Sequence, residues 1–444
     1  MVTLVGLIFV TAGALALIVK RSLFLYVLAA SAPFLTTAAI KFGDNSASPF
    51  FVLAIPATLI AVTRLIMRGS WAGQSITRPL ALLVAYSAII SAVGPTFFAD
   101  IAVLVPREGI DSQIDDPGTL SYNLSMFAQL GYLVLAAGVV LYFIQESTVK
   151  RGVLGFAFFV GILLNTAELA ADGWGLFTWP DEVFNNYGTL MYWESHYGEI
   201  TRHRGIFSEP SYLAVFCISA ITYFATILRK LSGWRVMFSL SMIAAALLNL
   251  AVSYAGTAIA GGAIVLAIFL GRYMYRFISG RGTLHPAILL GMLGGVAVII
   301  GYAPLLAAIR EMTTDKADSL SFLHRSASDL FSIDLWLQSF TFGVGIGANR
   351  PSSFITMMLS CVGIVGTAAF FVMLYRISKP IHRVAYWSPC IGALVAIIVC
   401  KAISDPGLAN PMMWLTVAVC AHGAGQALLK DSAKAPALPA NARK

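Results

Sequence analysis

Arginine, histidine and glutamate gather in two short stretches of an otherwise charge-poor chain. The first is Arg202-His203-Arg204-Gly205-Ile206-Phe207-Ser208-Glu209-Pro210-Ser211-Tyr212; the second is His324-Arg325, followed by Arg350. A guanidinium carries a permanent charge and a planar fork of donors that fits phosphate oxygens. Two such stretches meeting at one surface would clamp an anionic headgroup. His324 adds an imidazole, which unperturbed titrates at about 6.5 and can exchange protons at neutral pH. Each residue also has a plainer use. Arg202, Arg204 and Arg350 would suit helix-end anchors among lipid phosphates, and His324 a solvated loop. Glu209-Pro210 would suit a helix start, where an acid stabilises the first turn and proline is tolerated.

The elements that must hold these residues follow from composition. The chain has 444 residues, 58% of them hydrophobic and 11% charged, with a mean hydropathy of +0.82. Soluble globular chains are about 45–50% apolar and about 25% charged, so the three soluble domains that length alone would suggest are excluded. Disordered, collagen-like, coiled-coil and disulfide-scaffold classes fail for want of polar, periodic or Cys-rich sequence. The five cysteines, Cys217, Cys361, Cys390, Cys400 and Cys420, all lie in apolar segments and read as packing residues. An all-α polytopic membrane protein remains.

A bilayer core of about 30 Å takes about 20 mostly apolar residues per helix. Thirteen stretches qualify: 2–19, 22–40, 50–67, 80–98, 122–144, 152–171, 206–228, 236–254, 257–271, 286–306, 352–375, 385–402 and 411–428. The expected architecture is therefore a single integral membrane domain over 1–430 with about 12–13 spans, then a disordered tail over 431–444. The first stretch lacks a basic leader and reads as a span, not a signal peptide.

Lys and Arg accumulate in short cytoplasmic connections, and alternate connections here hold 20 of the 29 basic residues and only Glu146 and Asp431 of the 21 acidic ones. The opposite side carries three sizeable loops, about 99–121, 172–205 and 307–351. Nine basic residues remain there: Lys41, Arg107, Arg202, Arg204, Arg310, Lys316, Arg325, Arg350 and Lys401. The basic residues sit between apolar spans and form no continuous face, so nucleic acid is a poor partner for the net charge of +8.

Other signals are weaker. Gly343-Val344-Gly345-Ile346-Gly347 has no preceding strand and no P-loop lysine, and reads as a tight start to the next helix. Asp115-Asp116 could hold a divalent cation, although a solvated acidic loop explains it more simply. Asn165 and Glu168 fall near the outer end of the sixth span, and Asp172 beside them favours an interfacial Glu168. No ladder of charges crosses the membrane, which disfavours a proton-coupled transporter.

The run Arg204 to Ala214, a large loop before Gly343-Val344-Gly345-Ile346-Gly347, and Ser352-Ser353 through Gly363-Ile364-Val365-Gly366 together resemble the bacterial O-antigen polymerase and ligase superfamily over about residues 170–375. The resemblance implies a GT-C-like glycosyltransferase in the bacterial inner membrane, acting at its periplasmic face on glycans linked to undecaprenyl diphosphate. Membrane lipid and a chain-length regulator would be further partners. Family ligases are expected to carry a His-Asn pair where Ser352-Ser353 stand, and a Ser-Arg pair where Ala255-Gly256 stand; both departures favour a Wzy-type polymerase. On that resemblance Arg204 and Arg325 stabilise the departing diphosphate, Glu209 or His324 takes the acceptor proton, and Arg202, Tyr212, Arg350 and Ser352 contact substrate. No cofactor or metal is then required. A ligase on the same scaffold and a lipid-linked glycan flippase or transporter are the alternatives.

Overall fold

The computed structural model describes residues 1–43, 45–68, 73–105, 116–187, 196–197, 200–228, 230–280, 320–381 and 384–434. The predicted span at 286–306, together with Arg107, Asp115, Arg310 and Lys316, lies outside them. The described chain is mostly helical, and nine of its helices are long and apolar enough to cross a membrane. It is a multi-pass membrane protein. In order the helices are α1 (Leu4–Val19), α2 (Arg21–Ser31), α3 (Pro49–Arg68), α4 (Gln74–Phe97), α5 (Leu124–Gln145), α6 (Gly152–Glu168), α7 (Asp181–Phe184), α8 (Pro210–Leu228), α9 (Trp234–Val252), α10 (Gly256–Ile278), α11 (Leu320–Gln338), α12 (Phe354–Ile381), α13 (Ser388–Ser404) and α14 (Pro411–Lys434). A π turn, Leu169–Gly173, prolongs α6.

Local chemistry sets the helix starts. Thr3 and Asn123 cap α1 and α5 by accepting from Gly6 N at 3.0 Å and Met126 N at 2.9 Å, while Pro49, Pro210 and Pro411 begin α3, α8 and α14, where a missing N–H costs nothing. The core lies where α3 meets α5, α4 meets α12, and α8 meets α13. Phe24, Tyr142, Phe354, Phe370 and Trp414 fill it and are almost completely buried. Helices α9 and α10 stand at the periphery, with most of their apolar surface facing outward.

Three two-stranded antiparallel pairs, Ile40–Phe42 with Asn45–Ala47, Ala102–Val103 with Gly118–Thr119, and His196–Tyr197 with Ile200–Thr201, occupy connections at one end of the bundle. This is the loop-bearing end. Most described basic residues gather at the opposite, basic end. There Arg64 pairs with Glu146 at 2.7 Å, and Arg151 and Lys230 reach the Tyr386 and Ala385 carbonyls.

Three expectations change. The second span, expected over 22–40, is helical only through Ser31, because Pro33 has no N–H to continue the ladder. Residues 32–39 instead run irregularly inside the protein, held by Thr36 Oγ1 donating to Ile206 O at 2.7 Å, Thr37 Oγ1 donating to Phe184 O at 2.6 Å and Ala38 N donating to Asn186 Oδ1 at 2.7 Å. Such backbone survives at membrane depth only when protein satisfies it. The predicted loop 307–351 contains α11, a 19-residue helix. Its Ser328, Ser332 and Leu335 are buried while Leu323, Leu330 and Leu337 face outward, and Arg325, Asp329 and Asp334, with His324, bring its hydropathy below that of a span. At the chain's other end, α14 runs to Lys434, into the predicted tail; residues 435–444 lie outside the described chain.

Candidate functional site at the loop-bearing end

The segment before α8 is fixed from three sides. Asn165 in α6 accepts from Ile206 N at 2.9 Å and donates to Gly161 O at 2.6 Å. Gly205 stands at φ +59, and a Cβ there would fall 1.8 Å from Asn165 Oδ1, so only glycine lets the chain pass this close. His203 supplies the next anchor, its backbone N–H donating to Val252 O at 3.2 Å.

His203 lies between Glu168 Oε2, 3.0 Å from Nδ1, and Asn249 Oδ1, 3.1 Å from Nε2. Burial pushes its pKa from the ordinary 6.5 down to about 4, against the opposing effect of the Asn249 hydrogen bond, so the ring is neutral at pH 7. Asn249 Nδ2 already donates to Thr166 Oγ1 and Ala245 O, leaving Oδ1 to accept from Nε2–H. Nδ1 of the neutral ring then carries its lone pair, and it lies 3.0 Å from Glu168 Oε2. The interfacial Glu168 expected from sequence is instead 6% exposed and packed within the protein. Sequence alone gave little sign of this Glu168–His203–Asn249 chain, because its members lie on three separate elements.

With that segment fixed, Glu209 stands at the start of α8, its Oε2 accepting from Ser211 Oγ at 2.8 Å and lying 3.6 Å from Arg325 Nη2 of α11. Both side chains of this pair are about 40% exposed, at 43% and 40%, and such a pair adds only about 0–1 kcal/mol to stability. Arg202 completes the group, its Nε donating to Ser253 O at 3.4 Å. Burial and the nearby Arg325 guanidinium both lower its pKa, while Glu209 raises it. Two cations and one carboxylate therefore meet at a half-exposed surface, a net positive group open to an anion.

The other predicted residues are placed differently. Arg204 turns towards Phe207 O, 3.5 Å from Nη1, and towards the acids at the end of α6. His324 is exposed on α11, about 100° around the helix from Arg325. Tyr212 lines a small cavity with Phe207, Ser219 and Asn410. Arg350 is half-buried and its N–H donates to Leu104 O at 3.0 Å. Ser352 presents its backbone to Asp329 Oδ1 at 3.0 Å; the same oxygen accepts from Ser353 N at 3.0 Å and Thr356 Oγ1 at 2.7 Å. Asp329, one turn along α11 from Arg325, thus caps α12 and fixes the helix that carries the arginine. Lys401, counted among the outer cations, is buried with Asp405 at 2.5 Å and Gly407 O at 2.8 Å.

The glycines of 343–347 do not start a helix. Gly343, Gly345 and Gly347 have φ of +82, +109 and +78 and carry the chain back from α11 in an extended strip. A π turn in α12, Met358–Val362, frees carbonyls for this strip: Val344 N donates to Ser360 O at 2.9 Å and Gly345 N to Cys361 O at 3.0 Å. Asn349, 3% exposed, closes it by donating to Ser332 Oγ at 2.9 Å and Ser360 Oγ at 3.1 Å and accepting from Leu104 N at 3.0 Å. Compared with protein-family models and with curated proteins, the chain matches none of them.

Proposed function

We propose that the chain is a polytopic glycosyltransferase that polymerises oligosaccharide repeats linked to undecaprenyl diphosphate, a Wzy-type polymerase on a GT-C-like scaffold. The loop-bearing end then faces the periplasm and the basic end the cytoplasm of the bacterial inner membrane, as the distribution of Lys and Arg favours. The observation that carries this reading is the Arg202–Glu209–Arg325 group, where half-exposed donors lie beside a carboxylate.

A sugar diphosphate is already activated. The C1–oxygen bond to the diphosphate breaks, the acceptor hydroxyl oxygen bonds to C1, its proton passes to a base, and the bonding pair leaves with the diphosphate. Arg325 and Arg202 stabilise the charge developing on that leaving group. Glu209 takes the proton, and its hydrogen bond from Ser211 keeps the carboxylate turned to the site. Arg204, further from this group, steadies the segment.

One observation bears on the transporter alternative, since a broken helix such as α12 often lines a transport site. Here the groups freed at the break already serve Val344, Gly345 and Asn349, which leaves little for a passing solute. Reconstitution with purified lipid-linked repeats separates the readings. Chain growth supports the polymerase, transfer to a distinct acceptor would indicate a ligase, and movement without a new glycosidic bond would indicate a flippase.

A further inference from the structure

Helices α1 and α2 pack against each other, and a groove of about 480 Å³ runs along their seam, within the range of about 300–1,000 Å³ that takes small molecules. Ile8, Leu15 and Val19 of α1, Leu23 and Tyr26 of α2, and Phe156 of α6 line it. Ile8, Leu15, Val19 and Leu23 are exposed, so the groove opens on the outside of the bundle. Ile8 and Val19 bound it along α1, about 16 Å apart at about 1.5 Å per residue, which is about half of a hydrocarbon core of about 30 Å. One acyl chain of one leaflet has that depth.

The charged end of the groove decides which leaflet. Helix α1 starts at the loop-bearing end, where the Met1 ammonium donates to Lys41 O at 2.7 Å, so Val19 and the exposed Lys20 after it stand at the basic end. Tyr26 meets the Phe156 ring edge-on at 5.6 Å and carries the groove to the start of α6, where a Cβ on Gly152 would lie 3.8 Å from its Oη. The exposed Lys150 precedes that start. Neither α2 nor α6 has a side-chain cap, so two helix N-termini with unpaired backbone N–H groups add positive potential at this mouth.

Residues 1–31 and 147–167 contain no acid, against the four cations Lys20, Arg21, Lys150 and Arg151. Two of the four are engaged elsewhere. Arg151 is turned to the Tyr386 ring and carbonyl, and Arg21 lies on the far side of α2 from Leu23, towards Tyr142. That leaves Lys20 and Lys150 for a ligand at the groove.

An apolar slot one leaflet deep, with two ammonium groups and two helix starts at its mouth, complements a lipid with an anionic head. We infer that the groove between α1, α2 and α6 binds an anionic glycerophospholipid of the leaflet at the basic end. One acyl chain lies along Ile8, Leu15 and Val19, and the phosphate sits between Lys20 and Lys150. The site is at the opposite end of the bundle from the Arg202–Glu209–Arg325 group and stands whatever reaction that group performs.

The test uses the full-length protein in phosphatidylcholine nanodiscs, with a small, equal fraction of either phosphatidylglycerol or phosphatidylcholine carrying a diazirine in the acyl chain. After illumination, peptide mass spectrometry should find residues 8–30 and Phe156 labelled about 25-fold more heavily by phosphatidylglycerol, about fivefold from each lysine, with α9 and α10 labelled alike by both lipids. Lys20→Gln should lower the ratio about fivefold, and Lys20→Gln with Lys150→Gln should bring it near one. Salt at about 1 M, where the Debye length is about 3 Å, should do the same to the unaltered protein, so the result does not depend on a variant folding. A ratio near one at low salt, a ratio unchanged by the double substitution or by salt, an equal phosphatidylglycerol preference on α9 and α10, or crosslinks from this groove to a second copy would overturn the inference.

Discussion

At the basic end, Arg376 Nη1 reaches Ser75 O at 2.9 Å and Arg151 Nη1 reaches Tyr386 O at 3.2 Å; at the loop-bearing end, Arg325 faces the Glu209 carboxylate at 3.6 Å with both side chains half exposed. The first two contacts are local repairs. Ser75 O would bond residue 79 in a regular helix, but Pro79 offers no N–H, and Arg376 supplies the missing donor. Arg151 likewise serves a carbonyl at the 3-10 turn Ala385–Trp387. These cations are spent on backbone. At the loop-bearing end, Asn165, His203, Asn249, Asp329 and Asn349 do most of that work; Arg202 Nε donates to Ser253 O, and Arg202 and Arg325 lie near one acid. Neutral and acidic groups build most of that frame, and Arg325 faces a carboxylate, not a carbonyl.

The comparison breaks most visibly if the two sets of cations behave alike. Replacing Arg325 by Ala, or Glu209 by Gln, should reduce chain growth by about 10²–10³-fold, the loss expected when a group stabilising transition-state charge is removed, with the protein still present in membranes. Gel analysis of chain lengths reads this as single repeats in place of long chains. The frame itself can be tested next. Asn349→Ala leaves Leu104 N, Ser332 and Ser360 without their buried partner and should cost about 3 kcal/mol, visible as a lower melting temperature in detergent.

A smaller effect comes from pH. His203 is held near pKa 4 in the folded chain against an ordinary 6.5, so below 6.5 the unfolded chain binds a proton that the folded one refuses. The contribution of His203 is then full above pH 6.5 and falls by about 2–3 kcal/mol towards pH 4. Melting curves across that range check it, and the difference between the unaltered protein and His203→Gln assigns it. The smallest change is expected at the basic end, where Arg376→Ala gives up one partly exposed hydrogen bond, about 0.5–1.5 kcal/mol, with chain growth unchanged in the same gel.

Long apolar helices are legible in sequence because burial in lipid demands an unbroken run of apolar residues, and α3 to α6 and α8 to α10 fall close to where hydropathy places them. What composition hides is backbone whose polar groups are satisfied by distant side chains. Residues 32–39 are as apolar as a span, yet Pro33 ends the helix and Thr36 and Thr37 carry it onward. Helix α11 escapes for the opposite reason, since His324, Arg325, Asp329 and Asp334 within it read as loop while Asn349, beyond the helix, closes over its buried Ser332. Glu209 and Arg325 are conspicuous as rare charges, but nothing in their spacing tells that α11 brings them together. Arg204 and His324, equally conspicuous, are directed elsewhere.

The central claim is that the loop-bearing end carries out glycosyl transfer while the basic end serves the scaffold. It is tested most directly in nanodiscs supplied with purified undecaprenyl diphosphate-linked repeats, comparing the unaltered protein with Arg325→Ala and Arg376→Ala. The account predicts a ladder of chain lengths from the unaltered protein and from Arg376→Ala, and unextended repeats from a folded, membrane-inserted Arg325→Ala. A full ladder from Arg325→Ala, or no ladder from any of the three, would contradict it.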